Sequence, residues 1–123
     1  MKSKSINIPL YGMRLHLVST EDFQKDREEI NKKYYQNFAE EDTFLGFAER
    51  RAGHCLVIIN LERHKKIFKA KWQEEVIDTI SHEAFHTVSF LSIEKGIKPD
   101  LNNDEPQAYL QGFITKEIFK ICK

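Results

Sequence analysis

The stretch from Trp72 to Leu91 sets the strongest constraint on how this chain can fold. Val76, Ile77, Ile80, Ala84, Val88 and Leu91 recur at helical spacing. Gly96 is a natural C-cap, and Pro99 blocks continuation. The spacing predicts one long amphipathic helix, and that helix carries "SHEAFH", Ser81 to His86.

His82 and His86 stand four residues apart. One helical turn is 3.6 residues, so both imidazoles project from the same face. Two neutral imidazoles so placed can hold Zn²⁺ at the usual distance of about 2.0–2.1 Å. Glu83 is rotated about 100° from His82. It is poorly placed as a third ligand and well placed as a general base for a water on the metal. Ile80, Ala84, Phe85 and Val88 flank the motif, which predicts a largely buried setting. Two imidazoles and a carboxylate buried there need partners. A metal supplies them; core histidines satisfied by protein groups are the competing reading.

The rest of the chain reads as one domain, residues 1–123. A 41% hydrophobic content is enough for a single core without disulfides. Met13, Leu15 and Leu17 alternate with Arg14 and His16, predicting a strand over Met13–Val18. Ser19, with Asp22 three residues on, predicts a helix from about Thr20 to Phe38. Phe23, Ile30, Tyr34 and Phe38 lie along one side of it, and the other side is charged and solvated. Phe44–Arg50 and His54–Asn60 read as a hairpin turning at "RAG". The continuous apolar run "CLVII" belongs inside a sheet; "FLGFAER", with Gly46 and terminal charges, suits an edge. "LERHKKIFKAKW" is either a loop with a short helical turn or an early start to the long helix. After "LNND", Asp104 is placed to cap a last helix, with Pro106 in its first turn and Gln107 at the capping-box position. The expected fold is α+β: a small, mostly antiparallel sheet packed on an N-terminal helix, the motif helix and a C-terminal helix.

Charge and cysteines narrow the function. Lys+Arg and Asp+Glu both number 19, a formal net charge of zero. A nucleic-acid binder normally carries a basic excess, so no nucleic-acid partner is expected. Cys55 and Cys122 match no zinc-ribbon spacing and read as free thiols. There is no signal-peptide run and no stretch near 18 apolar residues, so the expectation is a cytoplasmic protein, or one exported by a route that leaves no sequence signature, with no membrane partner.

A catalytic zinc takes a third protein ligand and keeps a position open for water. The metzincin pattern, with glycine three and histidine six residues past the second ligand, meets Ser89 and Ser92 here. No histidine follows His86. The acidic candidates are Glu94, Asp100, Asp104, Glu105 and Glu117. Glu105 is nineteen residues past His86, beyond a Gly/Pro turn, at the start of the next helix, where an antiparallel return brings its carboxylate back toward the metal.

"SHEAFHTV" followed by "NNDEPQAYLQGFI" resembles the gluzincin class of zinc metallopeptidases. It is similar to the minimal single-domain metallopeptidases of bacteria and phages, over about the last half of the chain. The resemblance implies a zincin-like fold, Zn²⁺ as cofactor, His82, His86 and Glu105 as ligands, and Glu83 as base. Many gluzincins have an aspartate four residues after the ligand glutamate, and this chain has Tyr109. Asp78, one turn before His82, is an alternative partner for the imidazole N–H. Tyr109, Tyr35, His54 and His64 are candidates to stabilise the oxyanion.

The implied reaction is peptide-bond hydrolysis by metal-activated water, with Glu83 moving the proton to the leaving amine. An extended peptide or protein substrate is expected along the edge strand, at Phe44–Ala48. A chain of 123 residues leaves little room for a second lobe, so a homodimer, a protein partner or one narrow substrate is expected to complete a cleft. Two other readings stand beside this one. One is a catalytically silent zinc-binding regulatory or interaction module. The other is a deformylase-like amidase with Cys55 as a ligand, which "AGHCLVI" loosely resembles.

Overall fold

A computed structural model of the chain describes residues 1–8 and 11–123. Four strands form one sheet: β1 (Lys2–Ile8), β2 (Met13–Thr20), β3 (Gly46–Arg51) and β4 (His54–Asn60), in the order β1-β2-β4-β3. The two outer pairings are antiparallel, and the central β2–β4 pairing is parallel. The fold is therefore α+β, with a mixed sheet in which two of the three pairings are antiparallel. As the apolar patterns predict, β4 is interior and β3 is an edge. β1 went unseen in the sequence. "KSKSINI" is polar, and four of its first five residues are exposed or nearly so, as suits a solvated edge with no apolar period to betray it.

Helix α1 (Phe23–Tyr34) covers one sheet face. It begins at Asp22, whose side chain accepts from the Lys25 N–H, not at Ser19, which still belongs to β2. It stops at Tyr35, which takes a left-handed conformation at φ 55°. Phe38 thus lies beyond the helix, yet it still packs with Phe23, Phe44 and Phe47. The Asn31 side chain fixes it there, accepting from the Phe38 N–H at 2.9 Å and donating to its carbonyl at 3.0 Å.

The other face carries α2 (Leu61–Phe68), a single 3-10 turn at Lys69–Lys71, α3 (Trp72–Glu94) and α4 (Glu105–Ile121). The ambiguous "LERHKKIFKAKW" is thus a separate helix capped by Asn60. Leu15, Leu17, Val57 and Ile59 from the sheet meet Ile80, Ala84, Val88, Leu91, Ile114 and Ile118 in the main core. α3 ends as predicted, with Gly96 at φ 66° and the Ile97 N–H reaching back to the Ser92 carbonyl. Asp104 is the N-cap of α4 but makes no side-chain capping bond, and the Gln107 Oε1 is buried without a partner. The expected capping box is not formed. Among the described residues no helix is long and apolar enough to cross a membrane.

Candidate metal centre

Helix α3 separates its motif residues cleanly. Val76, Ile80, Ala84, Val88 and Leu91 face the core, and Glu83 goes in with them at 6% exposure. His82 and His86 are exposed, as are Ile77 and Phe85. The expectation of a buried histidine pair is therefore corrected. A rotation of about 100° separates residue 83 from residue 82, enough to send the carboxylate toward the sheet and the imidazole toward solvent. The cost of burial falls on Glu83 alone.

The two Nε2 atoms of His82 and His86 lie 3.1 Å apart. Their rings are tilted 78° to each other with centroids only 4.7 Å apart. A different pair in the same molecule gives the scale. His16 Nε2 and His54 Nδ1 are 3.0 Å apart, but those rings are nearly parallel and their centroids stand 5.3 Å apart. The His16–His54 nitrogens point at each other end to end, as in a straight N–H···N bond. The His82–His86 contact is bent instead, with the rings steeply tilted and their centroids closer together. Two bonds of about 2.0–2.1 Å at a tetrahedral angle would set the nitrogens about 3.3 Å apart. The observed 3.1 Å is close to that separation and is equally that of a hydrogen bond between the rings.

Glu83 lies on the core side of α3, against the start of β3, and is not among the residues lining the surface beside the pair. A Cβ on Gly46 would stand 2.8 Å from Glu83 Cγ, 3.0 Å from its Oε1 and 2.6 Å from Thr79 Cγ2. Burial pushes the Glu83 carboxyl above its ordinary pKa, and the nearby His82 and His86 pull it partly back. A carboxylate held up in this way is a stronger base than a solvated one.

Thr79, one turn before Glu83, hydrogen-bonds His64 Nε2 at 2.8 Å. His64 is fully buried, and its Nδ1 lies 2.7 Å from the Asn60 carbonyl. The carbonyl can only accept, so Nδ1 carries the proton and Nε2 accepts from the Thr79 hydroxyl. His64 is thus a satisfied core histidine that braces α3 on α2, not an oxyanion donor.

The recess at the pair is lined by Asp78, Ser81, His82, Phe85, His86 and Gln111. α4 crosses there, with the Gln111 amide 3.4 Å from the Ser81 carbonyl. Asp78 reaches the recess, as its place one turn before His82 predicts. Glu105 does not line it; this residue is exposed at the first position of α4. Among the described residues no three His, Cys, Asp or Glu side chains are grouped to hold a metal. Tyr109 is 77% exposed and also outside the recess. Tyr35 and His54 line a cavity on the α1 side of the sheet, away from α3. Cys55 points into the main core, where burial pushes its thiol up to about 11; it is a packing residue. Gly46, Thr79 and Gln111 were not found from the sequence. Gly46 alone gave a signal, as a glycine interrupting an apolar strand.

Comparison with protein-family models, with curated proteins and with solved structures finds no match to this chain.

Proposed function

We propose that this chain is a zinc-dependent peptidase of zincin-like fold. The observation that carries the proposal is the 3.1 Å approach of the Nε2 atoms of His82 and His86 with a buried carboxylate, Glu83, on the adjoining face of the same helix. His82 and His86 would hold the ion. Glu105 is the proposed third ligand, and closing the set requires the first turn of α4 to move toward the recess. When bound, zinc supplies the Lewis acidity that brings water toward a pKa of about 7 and polarises a carbonyl.

The chain's own residues supply the rest. Glu83 takes the proton from the attacking water and hands it to the leaving amine. Its desolvated setting holds it as a stronger base than a solvated carboxylate. β3 is an outer strand packed beside α3. An extended peptide can add to its open edge by main-chain hydrogen bonds, with Gly46 marking where that edge meets the base.

The test is Glu83→Gln, assayed for bound zinc and for cleavage of a peptide library. The proposal expects zinc retained and cleavage lost by at least about 100-fold, the scale of general-base catalysis. Unchanged turnover would refute the role of Glu83. A zinc-binding interaction module without catalysis is the second reading, favoured by the exposed Phe85 and Ile77 on the histidine face. It expects zinc binding with no cleavage even in the unsubstituted protein.

A further inference from the structure

The α1 side of the sheet holds a cavity of about 310 Å³, remote from the recess on α3. We propose that it is a binding site for a small organic anion with an apolar body, such as an aryl carboxylate, held between the His16–His54 pair and Lys33.

Three observations lead there. First, the cavity has the size of a single-ring ligand site, and Tyr34 and Leu56 give it apolar walls. Second, a hydrogen-bond chain runs along its solvent-facing lining. Ser5 Oγ lies 2.8 Å from His16 Nδ1, and His16 Nε2 lies 3.0 Å from His54 Nδ1. One proton sits between the two rings, because a neutral imidazole has one donor and one acceptor nitrogen. When the Ser5 hydroxyl donates to His16, His16 donates to His54, and the remaining His54 nitrogen, Nε2, carries an N–H. That N–H is a donor ready for an anion, and protonating the pair gives the same donor with a full charge.

Third, the charges around the pair are in cationic excess. Arg14 on β2, Lys33 on α1 and Arg51 on β3 face it, with Glu49 on β3 as the cavity's acidic group. Glu49 is already engaged, paired with Arg51 at 3.2 Å and bonded to the Gln36 amide. Arg14 is held by the Asn7 carbonyl oxygen. Lys33 instead rests 5.4 Å from the Tyr34 ring centroid, and among the described residues no carboxylate pairs with it. Burial, then His54, Arg14 and Lys33, hold His16 below its ordinary pKa; an anion in the cavity would relieve that pressure.

The probes are phenylacetate and its cationic counterpart phenethylamine, titrated into the full chain while the imidazole C–H resonances are followed by NMR. The expected result is a saturable shift of the His16 and His54 signals with phenylacetate and none with phenethylamine. Lys33→Glu, an exposed helix-surface change, should weaken phenylacetate at least tenfold while leaving the backbone amide spectrum in place. His54→Gln should do the same with the His16 signal as reporter. Equal responses to both probes, no saturable response, or phenylacetate binding untouched by Lys33→Glu would each overturn the proposal.

Discussion

Gly46 and Glu83 are fitted to each other through a missing side chain. The glycine lets the first residue of β3 approach a buried carboxylate on α3 more closely than any Cβ permits. Gly46→Ala should cost about 1–3 kcal/mol as an overpacked contact and should push Glu83 out of place. Cleavage should fall more than zinc affinity does. Denaturant melts beside zinc binding and kcat/KM check this; a variant equal to the parent in stability and turnover would remove the relationship.

Below that contact, Thr79 and His64 form a buried donor–acceptor pair. Thr79→Val keeps the shape and leaves His64 Nε2 without its donor. An orphaned buried acceptor costs about 1–3 kcal/mol, and urea unfolding should show a loss of that size with zinc binding retained. No measurable loss would contradict the assignment of proton and acceptor on His64.

At the far side of the core, Glu117 on α4 accepts from Lys4 on β1 at 3.0 Å and from Lys120 at 3.2 Å. The bond from Lys4 is the main cause that holds its carboxyl below the usual 4.5. A lowered carboxylate pKa stabilises the fold above the unfolded value and loses that effect as pH falls through the folded value. Lys4 is half-exposed, so the pair is worth at most about 1 kcal/mol. Glu117→Gln should be less stable than the parent by that order at pH 7, with the gap closing as pH drops below about 4.5. A gap that widens in acid would reverse the sign and refute the reading.

Cys55 divides the deformylase-like alternative from the proposed ligand set. Its thiol is buried against α3 and held up to about 11. In the folded protein it should resist alkylation at pH 7.5 and react once unfolded. Cys55→Ala should cost on the order of 1 kcal/mol from lost packing and leave zinc content unchanged. Loss of zinc in this variant, with zinc kept in Glu105→Ala, would move the third ligand to Cys55.

How much of this was legible depended on where each signal lives. The long helix was, because its apolar period, Gly96 and Pro99 agree. β4 was, because five consecutive apolar residues at Cys55–Ile59 have few homes other than a sheet interior. β1 was not, since an edge strand of lysines and serines has no apolar pattern to read. Burial was expected for Glu83 and both histidines alike, and only Glu83 is buried, because the apolar residues around the motif do not say which face the sheet covers. Phe85 and Ile77 belonged to that same apolar count, and the fold leaves both in solvent. The fit of Gly46 to Glu83 was invisible for a plainer reason. It joins residues 37 positions apart, and only the packing of β3 on α3 creates it.

The most direct test is the zinc content of the purified protein and of His82→Ala, measured by elemental analysis after exhaustive dialysis. The proposed site on α3 predicts about one zinc per chain in the parent and a loss of at least tenfold in affinity in the variant, with the fold intact because His82 is exposed. A parent that binds no zinc, or a variant that binds it as well as the parent, would contradict the metal centre outright.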